Sequence, residues 1–289
     1  MFDFDGLYQE AVTYLGIFLV ISLFAFISRG KEAFEWSKDL KISALVNFGF
    51  VKFNALFGGV FLIAAVLLEK YYPTLGIPSL SAKFWEGVPL PVTCFVLLLV
   101  YDIALYWIHR WLHSGWMWPM HAVHHSDEHL HFLSWSRGHA LEQTVIYCFV
   151  FLCSTWLGLG IKEIFWLAYF KALHQYYVHA NIDWDHGPFK KIIASPQYHR
   201  WHHANVKEAY DKNFASIFPF IDIIFGTYYH PHSAVNVPTG FDNSPSNDFV
   251  ALMCYPFTEW YRMIKVRFEQ SKLPPVSKAV ERNVQEMSN

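Results

Sequence analysis

The sequence is short of charge. Only 16% of its 289 residues are Asp, Glu, Lys or Arg, where a soluble domain carries about 25%. That deficit, with 54% hydrophobic residues, excludes an intrinsically disordered chain. The 22 basic and 24 acidic residues leave no cationic surplus, so nothing invites a polyanion and no nucleic-acid partner is expected. Cysteine is scarce as well. Cys94, Cys148, Cys153 and Cys254 form no CxxC pair, which excludes a disulfide-built module; three sit in apolar runs and read as small buried hydrophobes. The first residues, Met-Phe-Asp-Phe-Asp, have no basic n-region, so no cleaved signal peptide is expected there.

Apolar sequence, by contrast, is abundant and comes in runs. A membrane span needs about 20 mostly apolar residues. Four stretches qualify: Ala11 to Ser28, Ile42 to Leu68, Val88 to Ile108 and Gln143 to Ile161. The second is longer than a bilayer core requires, so its first part is expected at the interface. A fifth apolar segment, Ile164 to Ile182, follows after Lys162-Glu163 and pairs with the fourth as an antiparallel hairpin. Arg29, Lys31, Lys38 and Lys41 in the first loop place that loop in the cytoplasm. Alternation of the spans then brings every histidine cluster to the same cytoplasmic face. The expected architecture is an all-α integral membrane protein of about four transmembrane helices with a cytosolic, histidine-rich di-metal cap. It reads as one domain, with membrane helices over about 11–182 and a flexible tail over 272–289.

Histidine is the second excess. Of 16 histidines, 14 fall between His109 and His203. His109 and His113 form HxxxH; His121, His124 and His125 form HxxHH; His199, His202 and His203 repeat it. On a helix, positions i, i+3 and i+4 share a face, so each motif presents its imidazoles together. Pro119 near one start, and Ser195-Pro196 as N-cap and first residue at the other, favour helices there. Random placement predicts only about 0.05 HxxHH matches in such a chain. A metal site is the expectation. HExxH is absent, thiolates are badly placed and Glu-x-x-His is missing from the spans, which disfavours a zinc protease, structural zinc and a soluble-type di-iron bundle. Eight clustered imidazoles exceed one coordination sphere, so two metals are expected. Imidazole suits zinc, copper, iron and nickel alike, and spacing leaves that choice open.

These residues resemble the fatty acid hydroxylase/sterol desaturase superfamily of integral-membrane di-iron oxygenases. The resemblance rests on Asp102-Ile-Ala-Leu-Tyr-Trp-Ile-His109-Arg-Trp-Leu-His113, His121-Ala-Val-His124-His125-Ser and Arg137-Gly-His139-Ala-Leu-Glu142. It continues through His179-Ala-Asn181-Ile, Ser195-Pro-Gln-Tyr-His199-Arg-Trp-His202-His203 and Asp222-Ile-Ile-Phe-Gly226-Thr227-Tyr. It covers about residues 95–230, the expected catalytic region. It implies two non-haem Fe ions, O2 and a lipid substrate (a sterol, a fatty acyl chain or a related lipid) that is hydroxylated or desaturated. By position it implies His109, His113, His121, His124, His125, His179, His199, His202 and His203 as metal ligands, with His174 as a tenth. The five-residue step from His174 to His179 fits one helix face poorly. Asp102, Asn181 and Asp222 are expected to support the ligands from behind, Asp102 by fixing the tautomer of His109; His139 either ligates metal or, the preferred reading, hydrogen-bonds behind the ligands beside Arg137 and Glu142. His129, His131, His186, His230 and His232 lie outside the motifs and read as surface residues.

No His-Pro-Gly-Gly haem motif and no GxGxxG nucleotide signature accompany these motifs, so electrons are expected from a separate donor protein. The implied location is the endoplasmic reticulum in a eukaryote or the cytoplasmic membrane in a bacterium. Two other readings compete. A non-enzymatic membrane metal-binding or transport protein would need polar residues deep in its spans, where only Lys52, Asn47 and Asn54 stand out. A bis-histidine haem protein would leave most of these histidines surplus.

Overall fold

The fold is taken from a computed structural model that describes residues 4–34, 37–158, 161–234 and 237–272. Nine α-helices run through them: α1 (Phe4–Arg29), α2 (Lys38–Tyr71), α3 (Leu90–Leu112), α4 (Trp118–His125), α5 (Ala140–Trp156), α6 (Ile161–His179), α7 (Pro196–His202), α8 (Phe220–Phe225) and α9 (Phe249–Ser271). No β-strand occurs among the described residues; Ala204 and Thr239 make one isolated bridge. The expected tail beyond Lys272 lies outside the described residues.

Two helices are long and apolar enough to cross a membrane, over Lys38–Gly58 in α2 and Leu90–Leu112 in α3. Much of their surface stays uncovered by the other described residues, with Leu45, Leu56, Val60, Ile63, Leu90 and Phe95 exposed. A water-soluble protein rarely leaves so much contiguous apolar area uncovered. α5 is apolar but, at 17 residues, only about 25 Å long. Cys94, Cys148 and Cys254 are exposed and Cys153 half-buried, all as free thiols. The expectation of buried cysteines is thus corrected, because their apolar runs face outward.

The long helices alternate in direction. At one end, the loop between α2 and α3 is stitched to the end of α5: Leu80 N–H donates to the Trp156 carbonyl at 2.8 Å and the Trp85 indole to the Leu157 carbonyl at 2.9 Å. At the other end, α4, α7, α8 and the connecting loops form a cap. Ser195 accepts from Tyr198 N–H at 3.1 Å and begins α7 with Pro196 at its first position. Gly226 ends α8 in the left-handed region at φ 75°, a conformation glycine adopts without strain.

The cap wraps the N-terminal half of α2 rather than resting on its tip. Ser43 donates to Asp127 at 2.7 Å, Asn47 to the second Asp127 oxygen at 2.8 Å and Asn54 to the Ser136 carbonyl at 3.1 Å. Fully buried Arg137 joins the same network, donating to Asn47 at 2.6 Å and to Ser43 at 3.0 Å. His131, read from the sequence as a surface residue, is buried here, 3.1 Å from the Asn47 amide.

Candidate metal centre

The three histidine motifs and the end of α6 converge inside the cap. HxxxH closes α3, with His109 in its last turn and His113 as its C-cap. The two HxxHH motifs occupy α4 and α7, with His203 as the C-cap of α7. His109, His113, His121, His125 and His202 bring one ring nitrogen each within 4.8 Å of one another, and His124, His179, His199 and His203 do the same in a second group. The groups share a wall, since His124 and His125 are neighbours in α4 and the His125 and His203 rings stack at 4.4 Å. Nine of the ten expected ligand positions are therefore gathered. His174 belongs to neither group and sits 3.2 Å from the Ala194 carbonyl.

The hydrogen bonds behind the rings decide which nitrogen faces inward. Nδ1 of His109 meets the Phe214 carbonyl at 2.8 Å, that of His179 the Gln175 carbonyl at 2.8 Å and that of His202 the Lys212 carbonyl at 2.8 Å. Nδ1 of His121 meets the Glu142 carboxylate at 2.9 Å. A carbonyl oxygen only accepts, so Nδ1 of His109, His179 and His202 carries the proton and Nε2 of each a lone pair. Those lone pairs face other ring nitrogens: Nε2 of His109 lies 3.0 Å from Nε2 of His121, and Nε2 of His179 lies 3.0 Å from Nε2 of His199. The Nε2 atoms of His113 and His202 are buried with no partner in the protein. Facing lone pairs and orphaned acceptors are unfavourable by themselves and become favourable around a cation.

Electrostatics points the same way. Burial, then repulsion from neighbouring imidazoles, holds His121, His124, His125, His199 and His203 well below the usual histidine range. Burial with nearby His113 lowers His202 to about 3. The rings are neutral at physiological pH, the form that ligates metal. The donor set is wholly nitrogenous and fits two imidazole-bound transition metals, not thiolate zinc.

The supporting residues act differently from expectation. Asp102 does not touch His109. It accepts three backbone N–H groups, from Ser216 at 2.8 Å, Ile217 at 3.0 Å and Phe218 at 2.7 Å. Asp222 takes those of Phe214 at 2.8 Å and Ala215 at 2.9 Å, with the hydroxyls of Thr227 at 2.7 Å and Tyr198. Together the two buried carboxylates clamp residues 214–218, whose Phe214 carbonyl orients His109. His139 caps α5 through Leu141 N–H at 3.1 Å and reaches the Met253 carbonyl at 3.1 Å. Asn181 accepts from Arg29 and Arg200, joining the ends of α1, α6 and α7. Asp211, 3.2 Å from His113 Nδ1, was not anticipated. Its φ of 56° is set by the loop and no spacing rule marks it.

Beside the histidines lies a cavity of about 40 Å³, room for a few water-sized molecules. Leu105, Ile108, Leu112 and Ile146 form its apolar wall, and His109, His121, His124 and His199 its floor. Buried Lys171 also lines it, with Nζ 4.9 Å from the centre of the Trp135 ring.

The fatty acid hydroxylase family profile matches residues 94–227, which contain every one of these histidines. That segment is similar to the fatty acid hydroxylase family. Among its relatives, the ornithine lipid hydroxylase OlsE of Rhizobium tropici is 26% identical over 207 residues, covering 70% of this chain and 62% of that protein. Human alkylglycerol monooxygenase is 28% identical over 179 residues, covering 61% and 37% respectively. Methylsterol monooxygenase 1-3 of Arabidopsis thaliana is 28% identical over 236 residues, covering 74% and 77%. The chain thus spans about three-fifths of OlsE and little more than a third of human alkylglycerol monooxygenase. No solved structure matches it significantly.

Proposed function

We propose that this chain is an O2-dependent membrane oxygenase that hydroxylates or desaturates a lipid at a centre of two non-haem irons. The observation that carries the reading is the pair of histidine groups, their lone pairs turned inward, floored beneath an apolar-walled cavity at the end of two membrane-length helices. His109, His113, His121, His125 and His202 would hold one iron, and His124, His179, His199 and His203 the other. The irons supply what side chains lack: O2 activation and the oxidising power to attack an unactivated C–H bond. In hydroxylation one oxygen atom enters the lipid and the other leaves as water, with two electrons and two protons from outside; a separate donor protein supplies the electrons.

The protein's own work is positioning. The Phe214, Gln175 and Lys212 carbonyls hold the Nδ1 protons of His109, His179 and His202, which keeps each Nε2 aimed at metal, and the Glu142 carboxyl orients His121. Leu105, Ile108, Leu112 and Ile146 steer a hydrocarbon chain to the histidine floor and exclude water. Lys171 Nζ offers donors in the same cavity, and Glu142 Oε2 is a buried acceptor with no protein partner. α1, α2, α3 and the α5–α6 hairpin are read as the spans, with the cap on the cytoplasmic side. The relatives act on ornithine lipid, alkylglycerol and methylsterol, so an amphiphile with a long apolar part is the substrate class.

The transport reading fares worse on a specific point. Asn47 and Asn54, which would have to line an ion path through α2, are committed to Asp127, Arg137 and the Ser136 carbonyl. Lipid mass spectrometry of aerobic cells with and without the protein, beside His124→Ala, tests the proposal. New hydroxylated or unsaturated lipids in the wild type alone are expected; an unchanged lipidome overturns it.

A further inference from the structure

α9 carries an apolar stripe that nothing among the described residues covers. Val250, Phe257, Tyr261, Ile264 and Phe268 are each 55–70% exposed. At 3.6 residues per turn, about 100° per residue, they fall within roughly 60° of one another around the helix. Leu252, Pro256 and Trp260, which pack inward or hydrogen-bond to the cap, occupy a separate face. Glu259, Arg262 and Glu269 occupy a third. A helix with one face to protein, one apolar and one charged has the form of an element lying at a boundary between oil and water.

Its attachment points agree. Phe249 packs on Phe50 and Phe53 of α2, ring centres 5.0 and 5.8 Å apart, at the level where the polar bonds from α2 to the cap end with Asn54. Eleven residues on, the Trp260 indole donates to the Trp116 carbonyl at 2.8 Å, just past the end of α3. α9 therefore runs from one membrane-length helix to the cap-side end of the other. From Glu259 to the C-cap, Arg262, Lys265, Arg267 and Lys272 outnumber Glu259 and Glu269, and Glu259 pairs with Arg262 at 2.7 Å. Lys272 lies over the Phe268 ring at 4.3 Å, its stem along the stripe and its charge at the rim.

We infer that α9 is an interfacial helix whose stripe inserts into the headgroup–acyl boundary of an anionic bilayer leaflet, with Lys265 and Lys272 on the phosphates. This rests on the membrane reading above, and it adds a lipid-contacting surface outside the spans and outside the matched family region.

The test uses the full chain in nanodiscs, with its four cysteines replaced by alanine and an environment-sensitive fluorophore at one introduced cysteine. Tyr261→Cys and Ile264→Cys report the stripe, Glu269→Cys the charged face and Leu56→Cys the span. Retained metal content certifies the fold of each. Brominated lipid is expected to quench positions 56, 261 and 264 several-fold more than 269, and quenching at 261 should deepen when anionic lipid replaces neutral. Quenching at 56 but not at 261 or 264 overturns the inference alone. Loss at all positions overturns the membrane reading itself. Shielding at 261 that grows with the number of chains per disc, without quenching, overturns the lipid assignment in favour of a second copy.

Discussion

Removing the Asp222 carboxylate should damage the metal centre without touching a ligand. Its oxygens accept from two backbone N–H groups and two hydroxyls, all buried. In Asp222→Ala the two backbone N–H groups lose their acceptor, while the Tyr198 hydroxyl keeps the Ala215 carbonyl at 3.4 Å and the Thr227 hydroxyl keeps Tyr106 at 2.9 Å. At about 1–3 kcal/mol for each stranded N–H the loss is on the order of 4 kcal/mol, a large part of the roughly 5–15 kcal/mol that holds a typical domain together. At about 2–4 °C per kcal/mol for a chain of this class, the melting temperature should fall by on the order of 10 °C. The freed loop also releases the Phe214 carbonyl from His109 Nδ1, and loss of such a support typically weakens metal binding about 10–100-fold. Thr227→Val removes only one donor from Asp222 and serves as the mild control. Thermal unfolding in detergent, with metal content measured on the same samples, reads both effects. An Asp222→Ala protein with wild-type melting and full metal content would refute the claim that this carboxylate holds the loop and, through it, the ligand.

Further outcomes follow from the same geometry. His203→Ala should lose most of the metal from its group, whereas His174→Ala, which gives up only the Ala194 contact, should retain full metal; equal losses measured by elemental analysis would contradict the division of the histidines. Metal-free protein should lose stability as pH falls from about 6.5 toward 3. In that window an unfolded histidine binds a proton that buried His202, lowered to about 3, does not. The slope is up to about 1.4 kcal/mol per pH unit for each such histidine, and a flat profile in urea titrations would count against neutral buried imidazoles. Within the α2–cap network, Asp127→Leu alone should cost about 3–5 kcal/mol by stranding the Arg137 charge, while Asp127→Leu with Arg137→Met should cost clearly less than the sum. Strict additivity in the double-mutant cycle would show that the pair does not interact.

How much of this could be read in advance depends on the range of each interaction. The HxxxH and HxxHH faces, the Ser195 cap and the convergence of the clusters at one end of the helices follow from local periodicity and the alternation of apolar runs, and all were legible. The role of Asp102 was not. Its spacing from His109 suggested a local contact, but its partners lie 114–116 residues later in the chain, and no sequence pattern encodes which distant backbone N–H groups a carboxylate will meet. His131 was misplaced for the same reason, since its burial depends on Asn47 in α2. The outward-facing cysteines show a different gap. Hydropathy identifies an apolar run but not whether protein or lipid will cover it, so Cys94, Cys148 and Cys254 could not be sorted from composition. His174 and His179 share α6, yet only His179 enters a group; five residues on a regular helix turn the two rings to different faces.

The most direct measurement is the metal content of full-length protein expressed with iron and purified without oxygen, with the metal identified by elemental analysis and its environment by Mössbauer spectroscopy. Two groups of imidazoles predict two irons per folded chain in nitrogen-rich, non-haem environments, both oxidised when O2 is admitted. Well-folded protein that carries no transition metal, or a single ion indifferent to O2, would contradict the account.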